Sequence, residues 1–195
     1  MERLIRPANA RWGIVLTHGA GSNADAPLLV ALSHALAERA WAVLRVNLAF
    51  REKRPSGPPH SSGAAADRDG LAAAITSLHA ETDLQVFAGG HSYGGRQATM
   101  LAAEQPSLAR GLLILSYPLH PPAQPAKLRV EHLPALTTPS LFVSGTRDAF
   151  GTPAELSTAL AKHQLLLLEG MGHSLSLKAV APIVEAWVQF VDKFV

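Results

Sequence analysis

The sequence predicts an α/β fold: a three-layer sandwich in which helices cover both faces of a mostly parallel sheet of about six strands. Short, continuously apolar runs recur along the chain, each bounded by glycine, proline or polar residues, as is typical of strands buried on both faces. Helix-length stretches with one apolar stripe separate these runs. The 195 residues show no repeat or linker, so we expect a single domain over residues 1–195 without a separate cap domain.

The individual elements follow from these patterns. The predicted strands cover residues 12–17, 42–46, 84–88, 112–115, 141–143 and 165–168. Residues 27–40 form the first predicted helix, because Leu28, Leu32 and Leu36 fall on one stripe. Residues 96–104 are also typical of a helix, and the order Thr152-Pro153-Ala154-Glu155 predicts a capping box that begins another. The last predicted helix carries apolar residues at positions 180–191, spaced for docking on the sheet.

Two polar, proline-rich stretches, residues 51–63 and 117–139, contain no predicted element except a short helix at residues 126–131. Long loops that follow strands of an α/β fold lie over the carboxyl edge of the sheet, where ligands bind. The same composition also suits ordinary surface loops. Both interpretations stay open for each stretch.

Composition restricts the class of protein. The formal net charge is only +2 and the basic residues are scattered, so we expect no nucleic-acid partner. The absence of cysteine excludes disulfides, thiolate metal ligands and a cysteine nucleophile, and suits a cytoplasmic protein. The amino terminus does not resemble a signal peptide, and no apolar run approaches the roughly 20 residues that span a bilayer, so no membrane association is expected. No metal-binding cluster or nucleotide-binding loop is apparent, so we expect no metal site and no cofactor.

The strongest functional signal is the run Gly90-His91-Ser92-Tyr93-Gly94, which follows the predicted strand at residues 84–88 and precedes a helical stretch. A G-x-S-x-G run that joins a buried strand to a helix predicts a nucleophile elbow, in which a strained serine exposes its hydroxyl above the sheet. Gly90 and Gly94 allow the strand and the helix to approach closely. Ser92 is therefore the candidate nucleophile.

A serine nucleophile needs a base and an acid that orients the base. His173 lies in a glycine-rich loop between the last predicted strand and the last helix, and is the candidate base. Asp148 follows the strand at residues 141–143 and is the candidate acid, because it projects from the same sheet edge as Ser92 and His173.

The other histidines and aspartates suit these roles less well. His91 adjoins Ser92, and neighbours in an elbow project apart, whereas His18 is expected to shape the turn after the first strand. The remaining histidines lie in or beside helical stretches (His34, His79 and His163) or in the two loops (His60, His120 and His132). Asp67, Asp69 and Asp83 flank the second predicted helix, where capping or surface positions are expected.

The turn His18-Gly19-Ala20-Gly21 lies between the first strand and the first helix. Gly19 and Gly21 leave the backbone free to turn its N–H groups inward. The candidate oxyanion donors are the backbone N–H groups of Ala20 and Tyr93.

With these motifs the chain resembles the α/β-hydrolase superfamily over nearly its whole length, including the order Ser92, Asp148, His173. It looks most like the small members without a cap, near dienelactone hydrolase. Residues 16–21, 91–96, 117–122 and 145–151 are also similar to the α/β-hydrolase-like domain of a nonspecific-lethal chromatin-complex subunit and its testis-expressed relative. The resemblance implies a reduced α/β-hydrolase core in which residues 117–139 occupy the usual lid position. Residues 1–10 are too short for the antiparallel strand pair at the edge of the full superfamily sheet.

The sequence thus predicts a serine hydrolase that acts on a small-molecule acyl ester or thioester. One alternative is a non-catalytic interaction module, because the chromatin-associated proteins that the chain resembles are regarded mainly as scaffolds. Another keeps the triad for perhydrolysis or for lysis of an ester-like bond. No pattern indicates an oligomeric state or an acyl-chain preference.

Two side chains are candidate substrate contacts. Arg96 lies four residues after Ser92, and His120 lies in the second loop. A helix arginine that is paired locally is an equally good interpretation of Arg96. Arg45 lies inside an apolar strand and needs a buried partner, which the sequence does not identify.

Overall fold

The computed structural model describes residues 3–193 of the chain. Its strands are β1 (Leu4–Ile5), β2 (Trp12–Thr17), β3 (Trp41–Val46), β4 (Val86–His91), β5 (Leu112–Leu115), β6 (Ser140–Gly145) and β7 (Gln164–Leu168). They form one sheet in the spatial order β1-β3-β2-β4-β5-β6-β7. Every neighbouring pair is parallel except β1 with β3, so the predicted mostly parallel sheet is confirmed.

The sheet has seven strands rather than about six, because β1 adds to its edge. Leu4 and Ile5 pair antiparallel with Leu44 and Val43 of β3. Two residues are too few to show an alternating pattern, and their pairing depends on the free edge that β3 offers. Of the expected edge region, residues 3–10 therefore supply one short antiparallel strand and not a pair of strands; residues 1 and 2 lie outside the described part of the chain.

The helices of the described residues are α1 (Pro27–Ala37), α2 (Ala49–Lys53), α3 (Ala64–Thr82), α4 (Tyr93–Glu104), α5 (Pro153–Ala159) and α6 (Val180–Val191). Helices α1 and α6 pack on one face of the sheet, and α3 and α4 pack on the other. Successive side chains of β2 point to opposite faces of the sheet. Ile14 and Leu16 pack in the core under α1 and α6, whereas Val15 packs in the core on the other face. The three-layer sandwich is therefore confirmed. Within residues 3–193, no helix has the length and apolarity needed to cross a membrane.

The ends of two helices show where local signals decide the structure. The predicted capping box begins α5, where the Thr152 N–H donates to Glu155 Oε2 at 2.8 Å and the Glu155 N–H donates to Thr152 Oγ1 at 3.4 Å. Helix α1 ends at Ala37 rather than at residue 40, because Ala40 has a φ of 63°, a left-handed conformation that cannot continue a helix.

The two proline-rich stretches differ from their predictions. Residues 51–63 begin inside α2 and end in a single 3-10 turn at Ser61–Gly63. The predicted helix at residues 126–131 is wrong, since the chain is irregular there and a 3-10 turn follows at Leu133–Ala135. Leu128 stays 43% exposed, so this segment buries no apolar stripe that could support a short helix.

Arg45 has Asp25 as its acidic neighbour. Its surface is only 1% exposed, and its guanidinium lies 3.9 Å from the carboxylate of Asp25, which precedes α1. Asp25 also pairs with Arg3 at 3.2 Å. The carboxylate therefore bridges one buried and one exposed arginine, which sequence position alone does not reveal.

The parallel strands bring the candidate catalytic residues to one edge of the sheet. Ser92 follows β4, Asp148 follows β6 and His173 follows β7, while the turn at residues 18–21 follows β2. The carboxyl ends of parallel strands lie at the same edge of a sheet. The fold thus gathers these segments into one region.

Candidate active site

The turn between β4 and α4 holds Ser92 in a strained conformation, with φ 52° and ψ −117°. The Ser92 N–H donates to the Leu115 carbonyl of the neighbouring strand at 2.8 Å. Two glycines make the turn possible. A Cβ on Gly90 would lie 2.6 Å from the Thr17 carbonyl oxygen. A Cβ on Gly94 would lie 2.5 Å from the His18 carbonyl oxygen. The close approach of β2, β4 and α4 therefore requires glycine at both positions.

The structure brings Ser92, His173 and Asp148 together. Ser92 Oγ lies 2.7 Å from His173 Nε2. On the other side of the ring, His173 Nδ1 lies 2.9 Å from Asp148 Oδ2 and 3.0 Å from Oδ1. A carboxylate only accepts hydrogen bonds, so Nδ1 carries the proton and Nε2 is free to accept from the Ser92 hydroxyl. This is the tautomer that a histidine base requires.

Asp148 is held from two further directions. Its carboxylate accepts the Phe150 N–H at 2.8 Å and the Ser144 hydroxyl at 3.3 Å. Its side chain is fully buried, whereas that of His173 is 20% exposed. The buried, fully hydrogen-bonded carboxylate fixes the orientation of the imidazole, and the exposed part of the ring faces the site.

Two residues that the sequence interpretation left without a role also position His173. The Phe150 ring stacks on the His173 ring, with centroids 4.0 Å apart and planes at 27°. His91 Nε2–H donates to the His173 carbonyl at 2.8 Å, so His91 contacts the backbone of His173 and not Ser92. Burial lowers the pKa of His91 and keeps its ring neutral. Neither contact has a local signal, because both partners are distant along the chain.

Ala20 and Tyr93 line the same cleft as Ser92. Among residues 3–193, neither backbone N–H donates a hydrogen bond to another group. Tyr93 is the first residue of α4, and the first N–H groups of a helix have no partner within it. Two free N–H groups on residues that line the cleft with Ser92 are able to donate hydrogen bonds to an oxyanion and so stabilise its charge.

His18 and Arg51 hold the turn that carries Ala20. His18 Nδ1–H donates to the Gly19 carbonyl at 2.8 Å, while its Nε2 accepts the Leu48 N–H at 3.1 Å. Burial lowers the pKa of His18, which keeps it in this neutral form. Arg51 donates from Nη2 to the Ala20 carbonyl at 2.8 Å and from Nε to the Ser22 carbonyl at 2.8 Å. His18 thus shapes the turn, as its position after β2 predicts.

Arg51 is a residue that sequence reasoning missed. It belongs to a polar, proline-rich run that is typical of a solvated loop, yet only 6% of its surface is exposed. Its Nη2 also donates to the Gly57 carbonyl at 3.0 Å, so one guanidinium ties residues 51–63 to the glycine turn. A run of arginine and lysine gave no signal that one member points inward.

Asp67 corrects another sequence interpretation, because it is fully buried rather than a capping or surface residue. Its carboxylate accepts the Phe50 N–H at 2.9 Å and the Tyr93 hydroxyl at 2.7 Å. Burial, together with the hydrogen bond to Asp67, raises the pKa of Tyr93. The side chain of Tyr93, whose backbone N–H is one of the two free donors, is thereby anchored to α3.

The cleft has a volume of about 870 Å³. It is lined by Ser92 and His173, by Gly19 and Gly21, and by parts of both proline-rich stretches, including Pro58, Pro59, Pro118 and Arg129. Arg96 lines it as well. His120 does not: it is 5% exposed, and its Nε2 lies 3.4 Å from Glu155 Oε2. Its placement gives no support to a substrate contact.

A second concavity of about 710 Å³ lies between residues 119–134 and 154–163. It is mostly apolar and contains none of the residues of the Ser92 cleft described above. In the described part of the chain, no group of three or more His, Cys, Asp or Glu side chains is arranged to hold a metal ion. The reactive geometry is therefore found in the Ser92 cleft.

Comparison with known proteins places this chain in a family. A family described as "Alpha/beta hydrolase domain" matches residues 10–183. Dienelactone hydrolase from Anabaena variabilis is 22% identical, with a TM-score of 0.73 over 95% of this chain and 89% of its own. Est1E from Butyrivibrio proteoclasticus, with ferulic acid bound, is 16% identical, with a TM-score of 0.76 over 97% of this chain and 94% of its own. TT1662 from Thermus thermophilus is 19% identical, with a TM-score of 0.76 over 96% and 92% of the two chains.

At these identities the solved structures show a shared fold, whereas the family match rests on the sequence itself and spans most of the chain. The mostly parallel sheet and the strand-to-helix turn at Ser92 are features of an α/β-hydrolase fold. The protein therefore belongs to the α/β-hydrolase domain family.

Proposed function

We propose that this protein is a serine hydrolase that cleaves small acyl esters or thioesters through an acyl-enzyme on Ser92. The observation that carries the proposal is the distance of 2.7 Å between Ser92 Oγ and His173 Nε2, with Asp148 on the other side of the ring. In the first step, Ser92 Oγ attacks the carbonyl carbon while His173 Nε2 takes the hydroxyl proton. Asp148 orients the imidazole and stabilises the imidazolium that forms.

The carbonyl oxygen of the substrate becomes an oxyanion in this step and would accept hydrogen bonds from the N–H groups of Ala20 and Tyr93. The carbon–oxygen or carbon–sulfur bond then breaks, and His173 returns its proton to the leaving alcohol or thiol. Water attacks the acyl-enzyme in the second half-reaction, with His173 again as the base. The carboxylic acid leaves and Ser92 regains its proton, so the cycle is closed.

The contacts around the triad support a catalytic role over a role as an interaction module. A module that only keeps the fold has no need for a serine–histidine hydrogen bond, a strained serine or two unpaired backbone donors beside it. Strained backbone and free donors cost folding free energy, and they persist where the reaction uses them.

A fluorophosphonate probe and a short-chain ester test the proposal. We expect the probe to label Ser92, and 4-nitrophenyl acetate or butyrate to be hydrolysed with a burst of 4-nitrophenol. Ser92→Ala should lose the label and lower kcat by at least about 1000-fold. Ser157→Ala is the matched control, because Ser157 is exposed on α5 away from the cleft.

Folded protein that neither takes the label nor turns over any short-chain ester would overturn the proposal. Turnover that survives Ser92→Ala would also overturn it. Product analysis, by mass spectrometry of the acid and of any peracid, separates hydrolysis from perhydrolysis.

A further inference from the structure

The wall of the Ser92 cleft carries two arginines and no acidic side chain. Arg96 and Arg129 both line the cleft. No aspartate or glutamate of residues 3–193 is among its lining residues. Neither arginine forms an ion pair within the described residues. The positive charges of these two arginines are therefore not balanced by any acidic side chain among the described residues that line the cleft.

Arg96 lies one helical turn after Ser92, and its N–H donates to the Ser92 carbonyl at 2.9 Å. Its guanidinium Nε is buried and has no hydrogen-bond partner within the described residues. A cation in the first turn of a helix also faces the unfavourable end of the helix dipole. Local structure does not account for an arginine here, so its buried, unpaired Nε points to a ligand.

Arg129 approaches from the second proline-rich stretch. Its Nη1 donates to the Pro118 carbonyl at 3.1 Å, and the remaining donors of the guanidinium have no acceptor among residues 3–193. Burial lowers the pKa of Arg129, and the positive charge of Arg96 lowers it further. The two guanidinium groups therefore repel each other across a partly buried space.

The nearby titratable groups do not neutralise this charge. Burial and the charge of Arg96 lower the pKa of His132 to about 4, and burial raises that of Tyr117, so both are neutral near pH 7. Glu131 interacts electrostatically with His132 and Tyr117, but it is exposed to solvent and pairs with neither arginine. An anion in the cleft would relieve the repulsion between the arginines.

We propose that Arg96 and Arg129 form a subsite for a carboxylate, so that the preferred substrates are esters that carry a carboxylate besides the scissile bond. The inference rests on the proposed function for its substrate class. Guanidinium groups bind carboxylates through two parallel hydrogen bonds, and charge-assisted bonds of this kind are the strong ones. A carboxylate held by Arg129 and by Arg96, which lies one helical turn from Ser92, would orient the ester over the nucleophile.

Two pairs of esters that differ only in charge test the subsite. Mono-4-nitrophenyl adipate and its methyl ester place the charge on the acyl chain, whereas 4-acetoxybenzoate and its methyl ester place it on the leaving group. For at least one pair, we expect kcat/KM of the anionic ester to exceed that of the neutral ester about tenfold or more. Arg96→Gln should lower that ratio at least tenfold, and Arg129→Gln should lower it by a smaller factor.

Arg39→Gln is the control for loss of a positive charge, because Arg39 is exposed beyond α1 and does not line the cleft. It should leave the ratio unchanged. Circular dichroism of each variant reports whether it folds, and Arg96→Lys, which keeps the charge without the planar fork, should restore part of the ratio.

Binding to Ser92→Ala separates this inference from the proposed function. Calorimetry should show that Ser92→Ala binds mono-4-nitrophenyl adipate at least tenfold more tightly than its methyl ester, and that adding Arg96→Gln removes the difference. Equal binding and equal kcat/KM within both pairs would overturn the subsite while the esterase proposal stands. Charge-dependent binding without turnover by the unmutated protein would keep the subsite and overturn the esterase.

Discussion

Replacing His18 tests whether a side chain directs the backbone donor of Ala20. The Gly19 carbonyl and the Ala20 N–H belong to one peptide group, so the bonds that this carbonyl accepts set the direction of that N–H. They come from His18 Nδ1–H at 2.8 Å and from the Ser22 N–H at 3.1 Å. The second ring nitrogen has a separate task, since Nε2 accepts the Leu48 N–H at 3.1 Å. The two contacts can therefore be removed one at a time.

Asparagine and glutamine mimic different halves of the ring. In His18→Asn, an amide N–H can lie near the position of Nδ1 and keep the bond to Gly19. In His18→Gln, an amide oxygen can lie near the position of Nε2 and keep the bond from Leu48. His18→Asn leaves the buried Leu48 N–H unpaired, at a cost of about 1–3 kcal/mol in the free energy of unfolding. In His18→Gln the Gly19 carbonyl loses one of its two donors but still accepts the Ser22 N–H at 3.1 Å. His18→Asn should thus be destabilised at least as much as His18→Gln.

Their activities should differ. Complete loss of one oxyanion donor costs about 3–4 kcal/mol of transition-state stabilisation, and partial misalignment costs less. We therefore expect His18→Gln to lower kcat by about 10-fold to 10³-fold, whereas His18→Asn keeps most of the activity. Because the donor acts mainly in the transition state, kcat and kcat/KM should fall together.

The measurement is the hydrolysis of 4-nitrophenyl butyrate at a temperature where urea unfolding shows both variants to be folded. His34→Gln is the matched control, because His34 is exposed on α1 and does not line the cleft. A folded His18→Gln with the kcat of the unmutated protein would refute the reasoning. Equal losses of activity in the two His18 variants would refute it as well.

Three further predictions concern Phe150, Tyr93 and His132. Phe150→Leu removes the ring stacked on His173 at 4.0 Å and should lower kcat about 3- to 10-fold, whereas Phe150→Tyr should restore it, and equal kcat in all three proteins would contradict the stacking role. Tyr93→Phe removes the hydroxyl that donates to buried Asp67 at 2.7 Å and should lower the free energy of unfolding by about 1.5–3 kcal/mol, so an unchanged urea midpoint would argue against that contact. Burial lowers the pKa of His132 to about 4 from 6.5, so the unfolded chain binds the proton first as pH falls and stability should decline from pH 6.5 towards 4. Urea midpoints across that range test the sign, and a midpoint that rises on acidification would contradict it.

Local pattern accounts for much of this fold. The strands at residues 12–17 and 112–115 coincide with β2 and β5, because strands covered on both faces are continuously apolar and therefore visible in the sequence. The capping box at Thr152 depends on four consecutive residues. Ser92 could be proposed as a nucleophile because a strand-to-helix turn of glycines is also a local signal.

The positions of Asp148 and His173 followed from topology rather than from neighbouring residues. Each was expected at the carboxyl end of a strand, and a parallel sheet brings such ends to one edge. The structure accordingly places both beside Ser92. The same reasoning indicated Ala20 and Tyr93 as candidate oxyanion donors, and both residues line the cleft.

Only the tertiary structure decided which polar residues are buried to support this site. Arg51 lies in a run typical of a solvated loop, yet it donates to the Ala20 carbonyl of the glycine turn. Asp67 lies where a helix cap is expected, yet it accepts the Tyr93 hydroxyl. Phe150 reaches His173 in the same way, across a distance in sequence that no local pattern spans. Apolar burial repeats with the period of a helix or strand and can be seen in the chain, but a buried polar group needs one specific partner, and the fold alone determines where that partner lies.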